Sequence, residues 1–259
     1  MDFEVYNFQD VSSTNDYARE LLKKHKFVLV SAMHQTAGRG RKGNNWFGNY
    51  GKNLYLSIGI NHQTSPASNH LAILQAMSAL ITKNVLLDVT NLNIFRIKYP
   101  NDIYALDGES YKKLAGILIE HNFLGSICNN SIIGIGINVL EDNFPIDLKD
   151  TATSLKKLKL INENQSILKS EDALQVLQNS IVEYFKDYFD KYENGDIMQI
   201  FNEWKNDLNV LGKEVLILET GQRAIITEIM DDCRLRANLS ENNEDIIIDN
   251  GNSIRYSLD

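Results

Sequence analysis

Gly38-Arg39-Gly40-Arg41-Lys42-Gly43-Asn44-Asn45-Trp46 follows a β-rich run, Phe27–His34, and the choice of fold turns on it. Its glycines are spaced as G-x-G-x-x-G, the fingerprint of dinucleotide-binding doubly wound sheets. That motif must open a helix, and an acidic residue should follow about 20 positions later to hold a ribose. Here Asn44–Gly51 is rich in Asn and Gly and starts no helix, and no Asp or Glu follows before Asp88. A phosphate-binding G-x-x-x-x-G-K-[ST] is also missing from the chain. The stretch therefore reads as a cationic loop between strands. Five glycines within Gly38–Gly51 would suit a plain flexible linker. The adjacent Trp46 and Phe47 argue against that, because two large aromatics on an exposed loop are costly unless covered. Arg39 and Arg41 offer planar, permanently charged forks for phosphate or carboxylate, and Trp46 offers a face for a base.

Charge is segregated around this loop. Eight basic side chains and no acidic one lie between Leu21 and Leu87, giving that segment +8. The whole chain is −8, so the remainder carries −16. Such an acidic chain is a poor non-specific holder of duplex nucleic acid, but its basic loop can hold one small anion. Its 259 residues suffice for one large domain or a large and a small one, and 43% hydrophobic with 23% charged residues fits a globular protein. No apolar run approaches the roughly 18 residues of a membrane span. Cys128 and Cys233 fit no zinc spacing, and the five histidines show no metal pattern. The N-terminus goes straight into the fold with no signal peptide, so a cytoplasmic protein is expected.

Periodicity places a strand at Glu4–Phe8, a helix at Thr14–Lys24 capped by Ser12 or Ser13, and a strand at Asn53–Ile60. Leu71, Leu74, Met77 and Val85 recur at helical spacing, predicting a core helix over Ala67–Leu86. Strands are expected at Leu92–Lys98, Asp102–Ala105, Lys113–His121 and Ser126–Asn138. A long helix headed by Ser170, Glu171 and Asp172 and a second over Asp196–Asn206 follow. From Gly212 four short β-rich runs separated by turn signals suggest a small barrel. The expected division is 1–208 and 209–259.

Three further clusters stand out. Pro100 in Lys98-Tyr99-Pro100-Asn101-Asp102 breaks a ladder, so Asn101 and Asp102 project from a strand end. Lys113-Leu114-Ala115-Gly116-Ile117-Leu118-Ile119-Glu120 puts a lysine at the mouth of a buried strand. Gly134-Ile135-Gly136-Ile137-Asn138 has two glycines in a strand pattern, which weakens a strand unless another group needs the space.

In this order the motifs resemble those of the biotin protein ligases. The family's G-R-G-R-x-G-x-x-W is Gly38–Trp46, its K-W-P-N-D is Lys98–Asp102, its K-L-A-G-I-L-x-E is Lys113–Glu120 and its G-x-G-I-N is Gly134–Asn138. Its S-T-N is Ser13-Thr14-Asn15 and its glutamine before the loop is Gln35. The resemblance is strong over residues 10–140 and weak from Gly212. Asn44 stands where many members have a third loop arginine, with Lys42 beside it, and Tyr99 replaces the usual tryptophan.

The resemblance implies an α+β fold, a mixed sheet backed by helices as in class II synthetase-like catalytic domains, with a small C-terminal SH3-like barrel. Ser13-Thr14 comes so near the start that the monofunctional class without a DNA-binding segment is expected. It implies a ligase that converts biotin and ATP, with Mg²⁺, into biotinyl-5′-AMP and pyrophosphate. The biotinyl group then passes to a lysine of a biotin carboxyl carrier domain, with acetyl-CoA carboxylase the natural owner. Ser13, Thr14, Asn15, Gln35, Gly38, Arg39, Gly40, Arg41, Lys113, Gly116, Gly134 and Gly136 would hold biotin, the last three glycines leaving room for its ring and chain. Arg39, Arg41, Trp46, Asn101, Lys113 and Asn138 would face ATP, with Trp46 stacked on adenine. Lys113, Arg39 and Asp102 carry the chemistry, and Asp102 either contacts Mg²⁺ or orients Lys113. A single carboxylate favours orientation. A monomer or a homodimer fits, with pairing through strands near Gly134–Asn138. A lipoate–protein ligase and a non-catalytic biotin-binding module remain the alternatives.

Overall fold

The structure is a computed structural model and describes residues 1–161 and 172–258. The chain runs β1 (Glu4–Val11), α1 (Thr14–Leu21), β2 (Phe27–Gln35), β3 (Asn53–Asn61), α2 (Ser68–Thr90), β4 (Phe95–Lys98), β5 (Asp102–Asp107), β6 (Ser110–Leu124) and β7 (Ile127–Asn138). Then come α3 (Ala173–Glu193), α4 (Ile197–Leu208), β8 (Glu214–Ile217), β9 (Arg223–Ile229), β10 (Leu235–Leu239), β11 (Asp245–Ile248) and β12 (Ile254–Arg255). Ser170 and Glu171, expected at the head of α3, lie outside the described residues. Asp172 stands at its N-cap without a side-chain capping bond.

A seven-stranded sheet has the order β1-β2-β3-β7-β6-β5-β4. β1 and β2 are parallel, joined by the α1 crossover, and every other neighbouring pair is antiparallel. The sheet is therefore mixed, as expected. Alternation along β2 sends Phe27 and Leu29 to one face and Val28 and Val30 to the other. The first face meets α2, α3 and α4; the second meets Ala18 of α1 and Leu22 at its C-cap. β7 lies inside the sheet between β3 and β6, so the segment Gly134–Asn138 has no free edge for pairing with a second copy. The free edges belong to β1 and β4.

α2 corrects one sequence expectation. Its 23 residues are long and apolar enough by composition to cross a bilayer. Three of its buried hydroxyls are turned onto its own backbone: Ser78 Oγ donates to Leu74 O, Thr82 Oγ1 to Ser78 O and Thr90 Oγ1 to Leu86 O, at 2.6–2.8 Å. With its hydroxyls so satisfied, the helix packs as an apolar rod against the sheet, with Leu74, Met77 and Leu86 fully buried.

The C-terminal strands form a five-stranded antiparallel half-barrel, order β11-β10-β9-β8-β12, consistent with an SH3-like unit. β12 was not legible in the sequence; two residues carry no periodicity. α4 ends at Leu208, Asn209 turns through a left-handed conformation with φ 44°, and β8 begins at Glu214. One hydrophobic cluster nevertheless runs from the large sheet through Trp204 into Val215, Leu235 and Ile254. The joint is built on Tyr99-Pro100, a cis peptide. Tyr99 N–H donates to Tyr256 Oη at 2.8 Å, Tyr99 Oη donates to Ile248 O at 3.1 Å, and Trp204 Nε1 donates to Pro100 O at 3.0 Å. The tyrosine standing for the family's tryptophan thus supplies a buried donor as well as a ring.

Candidate active site

The G-R-G-R loop leaves β2 at Gln35 and closes on itself. Trp46 N–H donates to Gly38 O at 2.9 Å, Gly40 N–H donates to Asn44 O at 2.6 Å, and a 3-10 turn occupies Arg41–Gly43. No α-helix starts here, which disposes of the doubly wound reading. The far end of the loop is pinned by Glu141, a buried carboxylate that accepts from Asn49 N–H at 3.1 Å and Asn49 Nδ2 at 2.9 Å. The Lys42 side chain lies outside the described residues.

One partly open cavity gathers most of the expected residues. Ser13, Thr14 and Asn15 reach it from the start of α1, Gln35 from the end of β2, and Arg39, Gly40, Arg41 and Trp46 from the loop. Asp102 comes from β5, Lys113 and Gly116 from β6, and Gly134 and Gly136 from β7. Gly38, Asn101 and Asn138 do not line it. Asn101 is buried behind it, donating through Nδ2 to Ile117 O at 2.8 Å and accepting a long 3.4 Å bond from Arg41 Nη1. Asn138 donates through Nδ2 to Thr153 O at 3.0 Å, which ties β7 to the segment beside Lys113 instead of facing a nucleotide.

The polar end of the cavity is a connected network. Gln35 Oε1 accepts from Thr14 N–H at 2.8 Å and Thr14 Oγ1 at 3.1 Å. Ser57 Oγ lies 2.7 Å from Thr14 Oγ1 and 2.6 Å from Asn15 Oδ1. Asn15 Nδ2 donates to Glu120 Oε2 at 2.7 Å. Each partner fixes the next, so the donors and acceptors that face the cavity hold set orientations.

An ion pair of Lys113 and Asp102 also lines the cavity. Lys113 Nζ donates to Asp102 Oδ2 at 2.7 Å and stands 5.6 Å from the Trp46 ring centroid. Trp46 is where sequence and structure part. Its indole lies against the sheet: a Cβ at Gly116 would come within 2.6 Å of Trp46 Cζ3, and one at Gly136 within 2.7 Å of Cε2. The space at those two glycines is taken by the chain's own tryptophan, not left for a ring and valeryl chain. At Gly134 it is taken by Asn15. Trp46 Nε1 is buried with no hydrogen-bond partner among the described residues.

Sequence reasoning missed several residues. Ser57 is a buried serine inside an apolar strand with no motif around it. Glu120 closed a recognised motif but was given no role, and Asp16 read only as a helix-start charge. Asn44, Asn45 and hydrophobic Ile117, Leu118 and Ile135 also line the cavity. So does Asn252, which arrives from the C-terminal half-barrel on a 3-10 turn capped by Asn250 Oδ1. No local signal marks it.

The biotin/lipoate A/B protein ligase family model matches residues 7–138, about half of the chain. The chain belongs to the biotin/lipoate A/B protein ligase family. Within this family of ligases it is 34% identical over 198 residues to the bifunctional ligase/repressor BirA of Bacillus spizizenii, covering 73% of this chain and 55% of that protein. It is 30% identical over 161 residues to the biotin–[acetyl-CoA-carboxylase] ligase of Mycobacterium tuberculosis, covering 61% and 55%. The chain thus spans about half the length of these two curated ligases. The fold is shared with the biotin protein ligase of Aquifex aeolicus solved in complex with biotin and ATP, at TM-score 0.71, 24% identity and coverage of 98% and 99%.

A resident metal does not fit the described residues. Among them no group of three or more His, Cys, Asp or Glu could hold an ion. Asp102, the one carboxylate lining the cavity, is already engaged by Lys113.

Proposed function

We propose that this chain activates biotin with ATP and transfers the biotinyl group to a lysine of a carboxyl carrier domain. The carrying observation is one cavity that joins a preset neutral polar end (Thr14, Asn15, Gln35) to an end bearing the cations Lys113 and Arg41. A molecule with a polar head ring and a terminal carboxylate matches that polarity.

In the first step the biotin carboxylate oxygen forms a bond to the α-phosphorus of ATP, the bond to the bridging oxygen breaks, and pyrophosphate leaves with its electrons. Two anions must meet, and fixed cations in a partly dry cavity lower that barrier. Lys113, oriented by Asp102, is the point charge between carboxylate and α-phosphate. In the second step a carrier lysine amine attacks the acyl carbon. The C–N bond forms, the acyl C–O bond breaks, AMP leaves and the amine loses a proton. Lys113 then faces the developing oxyanion. Mg²⁺ would accompany the nucleotide phosphates, since one carboxylate held by an ammonium is no cage for it. We further propose a cytoplasmic enzyme, monomer or homodimer, that acts on the carrier domain of a biotin-dependent carboxylase such as acetyl-CoA carboxylase and not on nucleic acid.

Biotin-dependent exchange of labelled pyrophosphate into ATP tests this, run beside lipoate. Exchange with biotin alone is the expected result. Exchange with lipoate alone would move the chain to the other branch of its family, and biotin binding without exchange would make it a binding module.

A further inference from the structure

Arg39 and Arg41 look equivalent in the sequence but are not equivalent in the structure. Arg39 Nη1 donates to Asp16 Oδ2 at 2.6 Å and Nη2 to Asp16 Oδ1 at 2.7 Å, a two-pronged pair, and Nη2 also reaches Glu120 Oε1 at 3.3 Å. Arg19 closes the circuit, with Nη1 2.7 Å from Asp16 Oδ1 and Nη2 3.2 Å from Glu120 Oε2. Arg39, Asp16, Arg19 and Glu120 thus form a ring of alternating charge that joins the loop to α1 and β6. The ring is neutral as a whole and adds little net field to the cavity. Arg41 also lines the cavity, makes one long bond to Asn101, and among the described residues has no carboxylate within ion-pair distance.

We propose that Arg39 is a positioning residue that latches the glycine-rich loop onto α1 and β6 through Asp16 and Glu120, while Arg41 is the loop arginine that meets phosphate. This rests on the adenylate-forming reading above. Pulling Arg39 toward a phosphate would strip Asp16 of its two-pronged partner and Glu120 of a 3.3 Å contact, whereas Arg41 has nothing comparable to give up. The latch also reaches the polar end of the cavity, because Glu120 holds Asn15, and Asn15 packs on Gly134. Asp16 is held below its usual carboxylate range, first by the Arg39 hydrogen bonds and with help from Arg19, against the opposing pull of partial burial.

Chymotrypsin cutting at Trp46, Phe47 and Tyr50 reads loop opening without a ligand and without touching arginine. Asp16→Asn and Arg39→Lys are expected to speed cleavage about tenfold, because proteolysis follows the open population. Asp16→Glu should restore much of the protection. Both loosening variants should release biotinyl-adenylate faster, and Asp16→Asn, whose carboxylate lies outside the cavity lining, should keep the parent KM for ATP in pyrophosphate exchange. Arg41→Lys should raise that KM and leave cleavage unchanged. Unchanged cleavage in Asp16→Asn or Arg39→Lys, or an ATP KM in Asp16→Asn shifted from that of the parent, would overturn the latch. A parent protein with no biotin-dependent exchange would instead defeat the ligase reading, and the cleavage comparison would still test the latch.

Discussion

Lys113 Nζ and Asp102 Oδ2 are 2.7 Å apart across a bulge in the β5–β6 ladder. The carboxylate comes from the strand that follows Pro100 and the ammonium from the first half of β6, so the ladder itself sets their separation. A lysine held this way has lost much of its rotamer freedom before substrate arrives.

Replacing Lys113 by Ala should therefore abolish a step, not a binding surface. The expected loss in biotin-dependent pyrophosphate exchange is about 10²–10³-fold, with the thermal midpoint little changed. Asp102→Asn should keep a partner for Nζ but weaken its orientation, costing about tenfold in kcat with little change in KM. Near-parental exchange in Lys113→Ala would remove the lysine from the mechanism.

Gly136→Ala and Gly116→Ala each put a methyl where Trp46 sits. The indole must move, since such overpacking typically costs 1–3 kcal/mol, that is, about one to two decades in an equilibrium. The chain has two tryptophans and Trp204 is fully buried, so a red shift of intrinsic emission in either variant reports Trp46 leaving its cradle. Biotin affinity should fall by about tenfold alongside. An unshifted spectrum would show that the indole rests elsewhere in solution.

Tyr99→Phe keeps the ring and deletes the donor to Ile248 O. The expected destabilisation is about 1–2 kcal/mol, read from the midpoint of urea unfolding, because a buried carbonyl loses its partner. A variant as stable as the parent would mean the hydroxyl contributes nothing at the joint.

His62 predicts an acid-sensitive fold. Burial, and then neighbouring His121, push its pKa down to about 4 from 6.5. Its Nε2 and His121 Nδ1 both sit on the buried Ser131 hydroxyl, at 2.7 and 2.8 Å. Between these values the unfolded chain takes a proton that the folded chain refuses. The stability from His62 is complete above pH 6.5, falls as pH drops toward 4, and is then spent; the total is at most about 3 kcal/mol. His121, also lowered by burial, acts in the same direction. His62→Gln should flatten the stability profile over this window, measured by urea unfolding at stepped pH. An equally steep profile in the variant would point to other groups.

The motifs that build the cavity were legible because each is a contiguous run whose chemistry is local: Gly38–Trp46, Lys98–Asp102, Lys113–Glu120 and Gly134–Asn138. Most element positions followed from periodicity, and the mixed sheet from the family resemblance. What escaped depended on distance in the chain. Trp46 reads equally well as a base platform or a wall until the strands bearing Gly116 and Gly136 lie beneath it. Arg39 and Arg41 separate only once α1 brings Asp16 and Arg19 alongside the loop. Ser57 and Asn252 carry no motif, and their place at or behind the cavity comes from tertiary packing alone.

Gly251 lies so close to Tyr99 O that any side chain there would collide with the backbone, and the next residue, Asn252, helps wall the cavity. An excised amino-terminal fragment would accordingly be breached on one flank of its reaction chamber and would bare Tyr99 to water. Gly251 and Asn252 belong to the cavity as much as the first loop does, and on the proposed reading trimming them would open a side door onto a hydrolysable anhydride.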